Sequence, residues 1–286
     1  SEFISALNGW EKHVLDIFPK YVGYLNFNSS EFISIKDSQG YLFPDLAKKN
    51  TLQSILGKGT SDAGYTLECF IHPPTGSFNT KNQVIFQKLS SDGNTGITLA
   101  LSQSLISSPT IEVHSFLSSG SDNNVYTLHT SASVTKGEFS HIATVFDKSL
   151  TNTLSILKDG VLADTSTNSL EINNLNFILS DILIGSGSNQ VTGSTGLYPF
   201  ENSVFWAEEP LTGSVDELRF WTYPKKHNVI SSSIAYSAEE TEGLGLYLRF
   251  NEPTGSYNSS NLVLDSSGNG LHGYITNYSE TGATTR

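Results

Sequence analysis

Apolar residues in this chain fall mostly in short alternating runs, separated by Gly, Asn, Asp or Ser. Tyr24-Leu25-Asn26-Phe27 and Phe32-Ile33-Ser34-Ile35 come first. Further runs cover Tyr65 to Ile71, Gln83 to Lys88, Ile97 to Leu101, Ile111 to Phe116, Val125 to His129 and His141 to Phe146. Leu154 to Lys158, Phe177 to Ile184, Val215 to Trp221 and Leu246 to Phe250 complete the set. A period of two sends successive side chains to opposite faces, so each run predicts a strand. Closely spaced strands with turn residues between them predict a sandwich or jelly roll rather than βαβ units. Lys158-Asp159-Gly160-Val161 predicts a tight hairpin, because Asp-Gly accepts the positive φ angles of a two-residue turn.

Helical spacing is strongest near the start. Leu7, Trp10, Val14, Leu15 and Phe18 recur at threes and fours before Pro19, which predicts a short N-terminal helix over residues 4–20. A second short helical piece is expected around Leu46 to Leu56. The Gly-, Ser- and Asn-rich stretch from Gly185 to Phe205 reads as a long loop, and long ordered loops on β scaffolds often carry binding. The expected organisation is therefore an N-terminal helix or linker (1–20), a jelly roll (21–250), and a tail (251–286) that packs on the sandwich or opens a further module.

Composition narrows the function classes. The 286 residues carry a net charge of −12 with 15% charged residues. An acidic surface repels phosphate backbones, so nucleic acid is not an expected partner, whereas acidic loops suit a divalent cation. No apolar run is long enough for a helix to span a bilayer. Ser1-Glu2-Phe3 has no basic stretch, so the start does not read as a signal peptide. The absence of methionine suggests a processed product or fragment. The single cysteine, Cys69, sits within a predicted strand and reads as a small core hydrophobe.

Four constellations could carry chemistry. Strict alternation would put Asp216 on one face with Leu218 and Phe220, opposite Val215, Glu217, Arg219 and Trp221. A carboxylate on an apolar face needs a partner, either backbone N–H groups or a calcium ion. Glu217 and Arg219 then read as a surface ion pair of little energetic weight. Asp265-Ser266-Ser267-Gly268-Asn269-Gly270 begins like a calcium loop, but Thr276 stands where the closing Glu would be, so a solvated turn is the plainer reading. Asp92-Gly93-Asn94 and Asp122-Asn123-Asn124 are oxygen-rich turns able to meet a cation or a sugar hydroxyl, or to be plain hairpin loops. Tyr198, Phe200, Phe205 and Trp206, with Asn189 and Asn202, combine stacking faces with planar polar groups. That suits a glycan site with Tyr198, Asn202, Trp206 and Asn189 as ligand-binding residues, and it equally suits aromatic anchors that pin the loop.

Four segments also follow one another in a fixed order: Gly64 to Pro73, Phe139 to Asp147, Leu154 to Gly160, and Leu211 to Trp221. This series resembles the laminin-G-like jelly rolls of the concanavalin A-like lectin/glucanase superfamily. Phe70 and Phe139 stand where that family usually carries Trp. The resemblance implies an all-β, two-sheet antiparallel jelly-roll sandwich and raises the calcium option at Asp216, since related glucanases hold a structural calcium with the Asp of this strand. Leu246 to Glu252, followed by Val263 to Gly273, resembles tails in virion structural proteins of large tailed bacteriophages. Together these imply a non-enzymatic adhesion module of a virion or other extracellular assembly, with glycans or other surface proteins as partners and oligomerisation within reach. A purely structural protein-binding domain is the alternative. A glycoside hydrolase would need paired carboxylates in a Glu-x-Asp-x-x-Glu pattern, which the chain lacks.

Overall fold

The computed structural model describes residues 25–27, 31–36, 64–75, 81–103, 105–121, 124–148, 151–168, 180–193, 199–234, 243–250 and 262–277. Both expected N-terminal helices, Asp122-Asn123 and Tyr198 lie outside the described residues. In chain order the strands are β1 (Leu25–Phe27), β2 (Phe32–Ile35), β3 (Gly64–His72), β4 (Gln83–Leu89), β5 (Gly96–Ser102) and β6 (Thr110–Ser121). Then come β7 (Asn124–Thr135), β8 (Ser140–Asp147), β9 (Asn152–Lys158), β10 (Val161–Asn168), β11 (Ile182–Ile184) and β12 (Gln190–Val191). The last are β13 (Val204–Phe205), β14 (Gly213–Trp221), β15 (Leu244–Leu248), β16 (Leu262–Val263) and β17 (Gly273–Thr276), with a helix, α1 (His227–Ser233), after β14.

Two antiparallel sheets form the predicted sandwich. A seven-stranded sheet has the order β1-β14-β3-β8-β9-β10, with β15 also on β14, and an eight-stranded sheet has the order β16-β17-β2-β11-β4-β5-β6-β7. The alternating runs explain the layers. Leu67, Cys69 and Ile71 of β3 point inward with Ile142 and Phe146 of β8, against Ile97, Leu99 and Leu101 of β5. Phe220 joins the layers, stacking on Tyr65 at 5.4 Å and on Phe86 of the opposite sheet at 6.1 Å. The Asp159-Gly160 hairpin forms as predicted, with φ of 49° and 77°, and the Asp159 carboxylate accepts the His141 N–H. No helix among the described residues is long and apolar enough to cross a membrane.

Strand β14 departs from strict alternation. It pairs Asp216 with Phe70 and then Arg219 with Glu68, so Glu217 and Leu218 occupy a bulge, Glu217 with φ of 49°. A bulge inserts an extra residue and changes which side chains share a face. Val215, Leu218 and Phe220 therefore face the core, while Asp216, Arg219 and Trp221 turn outward with Thr66, Glu68 and Phe70. The expectation that Asp216 shares a face with Leu218 and Phe220 is thus corrected.

That outer face is covered. The segment following β14 folds back across it: Lys225 N–H donates to the Thr66 hydroxyl at 2.8 Å, and that hydroxyl donates to the Tyr223 carbonyl at 3.0 Å. The Lys225 ammonium meets the fully buried Glu68 carboxylate at 2.8 Å and lies 4.1 Å from the Trp221 ring centroid. His141 Nε2 approaches the other Glu68 oxygen at 3.3 Å. Helix α1 then seats Ile230 among Ala143, Val145 and Leu157. Its sequence, His-Asn-Val-Ile-Ser-Ser-Ser, has weak helix propensity and no side-chain cap, which is why the pattern did not predict it.

Candidate functional site

The long loop after β11 lies on the outer face of the eight-stranded sheet. Two neutral amides fasten it. Gln87 Nε2 donates to the Ser188 carbonyl at 2.9 Å while its Oε1 accepts the Ser188 N–H at 2.7 Å. Gln190 Nε2 donates to the Gly96 carbonyl at 3.0 Å and to the Ser118 hydroxyl, and its Oε1 accepts from Thr98. Within the loop β12 and β13 pair as a small hairpin, Gln190 opposite Phe205. Phe205 and Phe200 bury themselves against Phe116, with ring centroids at 4.8 and 5.2 Å, and Phe200 also meets His129 edge-on. These two phenylalanines are anchors, as the second reading of the loop expected.

Beneath Phe200 lies a histidine pair, His114 Nδ1 to His129 Nε2 at 3.0 Å. Burial, and then the neighbouring His129, hold His114 down at about 3.

The margin of this cover is open. A cleft of about 350 Å³ runs between the Ser90–Thr95 turn, the Ser188-Asn189 backbone and the start of β11. Its walls include Gln87, Ser90, Asp92, Asp181 and Asn189, with Leu89 and Leu183 as apolar floor. The turn is well ordered: Asp92 Oδ1 accepts from the Ser90 hydroxyl and the Asn94 N–H, which hold its carboxyl below the usual range. The Gly93 carbonyl accepts the Val191 N–H at 2.9 Å, tying turn to hairpin. Gly93 has φ of 74°, and a Cβ there would stand 3.3 Å from the Asn189 carbonyl oxygen. Asp181 is paired with Lys36 at the rim.

The candidate residues separate accordingly. Asn189 lines the cleft, and its Oδ1 accepts the N–H of Ala207 at 3.0 Å. Trp206, the residue before Ala207, is 43% exposed and is not among the residues lining the cleft. Asn202 occupies the turn at the other end of the hairpin, with φ of 52°. The fold thus joins Asn189 and the Asp92 turn, leaves Asn202 apart, and links Trp206 to Asn189 only through the neighbouring Ala207 backbone. Gln87, Ser90 and Asp181 were not singled out from sequence; nearly a hundred positions separate the two walls.

Asp216 is 5% exposed, and its Oδ1 accepts the Glu217 N–H at 2.8 Å. Burial, followed by the Glu217 charge, pushes its carboxyl up to about 7. The guanidinium groups of Arg219 and Arg249 are its cationic neighbours. Arg219 is itself buried and donates to Glu217 at 2.6 Å, so this is no surface ion pair. Tyr247 donates to the same Glu217 oxygen. A donor set of one free carboxyl beside two guanidiniums does not fit calcium. Asp265 accepts the N–H groups of Tyr247, Ser267 and Leu271, so it fastens its turn to β15 through backbone bonds. Among the described residues no group of three or more His, Cys, Asp and Glu side chains is placed to hold a metal.

No curated protein matches significantly. A candidate carbohydrate-binding protein from Bacteroides ovatus superposes with a TM-score of 0.51 at 16% identity, covering 89% of this chain and 58% of its own, a likeness that shows the fold. This chain thus spans little more than half of that protein. The Ruminococcus gnavus IT-sialidase CBM40 bound to α2,3-sialyllactose gives a TM-score of 0.42 at 10% identity, covering 73% of this chain and 95% of its own. The enzymatically active domain of bacteriophage CBA120 tailspike protein 2 gives 0.44 at 14%, covering 67% and 27%. A family model matches residues 48–231, more than half of the sequence, and the chain belongs to the laminin G-like part of the concanavalin A-like lectin/glucanases superfamily.

Proposed function

We propose that this chain is a non-catalytic glycan-binding module whose site is the cleft between the Asp92 turn and Asn189. The observation that carries the reading is the convergence of polar groups on a concave margin, with the partly exposed Trp206 one residue from the Ala207 N–H that Asn189 holds. The second Asp92 oxygen and the Asn189 side-chain NH2 suit a pair of vicinal sugar hydroxyls. An indole face suits the C–H face of a pyranose.

Chemistry at the cleft supports binding rather than hydrolysis. A glycosidase pair needs one carboxylic acid with a raised pKa, able to protonate the leaving oxygen. Asp92 is shifted the other way, and Asp181 is occupied by Lys36. Asp216 has the raised pKa but lies on the outer face of the other sheet. On the tail resemblance we place the module in an extracellular assembly such as a phage virion, where immuno-electron microscopy of the parent particle would locate it.

The test is a glycan array run with the intact protein and with Trp206→Ala and Asp92→Asn. Retained glycans whose signal falls at least tenfold in both variants support the cleft. A protein that retains no glycan, or whose binding ignores both substitutions, sinks the reading.

A further inference from the structure

A second concave site lies at the opposite end of the sandwich. Strand β5 leaves the first cleft at Gly96 and delivers the chain to the other end at Ser102. There three connections meet: Pro73-Thr75 after β3, Leu105-Pro109 before β6, and Lys136-Phe139 after β7. Between them is a cleft of about 420 Å³, lined by Thr75, Ile106, Ser107, Ser108, Thr135 and Lys136 among others. The connections are fastened together by backbone. Gly137 N–H donates to the Pro73 carbonyl at 2.8 Å, and Lys136 N–H to the Pro109 carbonyl at 3.0 Å. Gly137 has φ of 80°, and a Cβ there would stand 2.3 Å from Thr75 Cγ2, so the closeness of these two loops depends on glycine.

We infer that this second cleft binds the acidic substituent, carboxylate or sulfate, of a charged sugar. Lys136 is the sole ionisable side chain in its lining. Its ammonium makes only a long bond, 3.4 Å, to the Ile106 carbonyl, and among the described residues no carboxylate pairs with it. In a chain of net charge −12 an ammonium that no acid among the described residues pairs with is conspicuous. Thr75, Ser107 and Thr135 line the same cleft and carry hydroxyls able to donate to anionic oxygens, while the Ser108 hydroxyl is bonded to Thr110, and Ile106 offers an apolar contact for ring carbons. The first cleft is lined instead by two carboxylates, Asp92 and Asp181, the second paired with Lys36 at the rim. The two ends therefore select opposite charge, and this inference stands whether or not the first cleft is occupied. One ammonium in an acidic chain gives weak, salt-sensitive attraction, which suits a small charged unit and not a polyanion such as nucleic acid.

The experiment is an amide chemical-shift titration of the intact protein with a hyaluronan hexasaccharide (carboxylate alone) and a sulfated galactose disaccharide (sulfate alone). Shifts at Ser107, Ser108, Thr135 and Lys136 with either probe are expected, the stronger probe naming the group. They should weaken at least tenfold in Lys136→Gln, survive in Lys136→Arg, and decline as salt is raised. No shifts at these amides with both probes, or an undiminished response in Lys136→Gln, would overturn the inference. Shifts confined to residues 90–93 and 188–189 would overturn it while supporting the first cleft.

Discussion

The two outer faces of the sandwich are both covered, and by opposite chemistry. On the seven-stranded sheet the cover is locked by a charge: Lys225 of the returning segment reaches the fully buried Glu68. On the eight-stranded sheet it is locked by two neutral amides, Gln87 and Gln190, and by two phenylalanines. A buried ion pair tolerates no half-measures, because each charge alone is strongly disfavoured in a low-dielectric setting. Amide bonds are individually modest and can be lost one at a time. The charged lock lies against a flat face and is sealed by Trp221 and α1. The amide lock holds a raised hairpin whose margin stays open, and that margin is the cleft. The open cleft goes with the divisible lock.

The largest expected effect comes from splitting the charge pair. Lys225→Met leaves Glu68 buried without its ammonium and should destabilise the protein by about 3–5 kcal/mol in urea denaturation, with an unchanged m-value. The double variant Glu68→Met/Lys225→Met should recover most of that loss, since an apolar pair of similar volume replaces the ions. On the other sheet, Gln190→Met leaves the Gly96 carbonyl and two hydroxyls without their amide and should cost about 1–3 kcal/mol. Equal costs for Lys225→Met and Gln190→Met would break the distinction between the locks.

Much of this architecture was legible in sequence, because a sandwich face imposes period-two alternation and an Asp-Gly turn declares its own geometry. The locks were not. Glu217 is not a glycine, so nothing in Val215-Asp216-Glu217-Leu218 announces a bulge, and one inserted residue moved Asp216 to the face of Arg219 and Trp221 and Val215 to that of Leu218 and Phe220. Gln87 and Gln190 look like ordinary polar strand residues until the fold sets them 3 Å from shared partners. The loop composition showed its aromatics, but only packing separates the anchors Phe200 and Phe205 from the exposed Trp206. Both clefts join residues from distant connections, and one sequence read by itself carries no signal for that meeting.

Acid should separate the two covers. Glu68 is held at about 2, burial being outweighed by the His141 and Lys225 interactions, so its folded pKa lies below its ordinary value of 4.5. Its contribution is present above pH 4.5 and is lost as pH falls toward 2. His114, held at about 3 against an ordinary 6.5, contributes above pH 6.5 and begins to lose that stability as soon as pH drops below it. Asp216, raised to about 7, has the reverse sign: its contribution is present below pH 3.8 and is lost as pH rises through 7. The hairpin over the histidines should therefore loosen first, by about 1–2 kcal/mol at pH 5. Hydrogen exchange at pH 5 against pH 7 checks this, with protection lost at residues 200–206 before residues 222–230. Simultaneous loss would mean that the histidine pair does not set the acid response. Asp216→Asn should flatten the stability curve on its alkaline side.

The smallest stability effect is the most telling for function. Phe205 and Trp206 are neighbours on one short strand end, yet the first is fully buried against Phe116 and the second faces solvent. Trp206→Ala removes an exposed ring whose backbone, not its side chain, is tied to the protein through Asn82. Its cost should stay within about 0.5 kcal/mol, as for surface positions free of special contacts. Trp206 leaves 43% of its surface in water, one residue from the Ala207 N–H held by Asn189. A thermal shift near zero together with a tenfold loss of glycan retention would assign Trp206 to the ligand. A destabilisation as large as that of Gln190→Met would instead make it a third anchor of the hairpin and return the loop to a purely structural role.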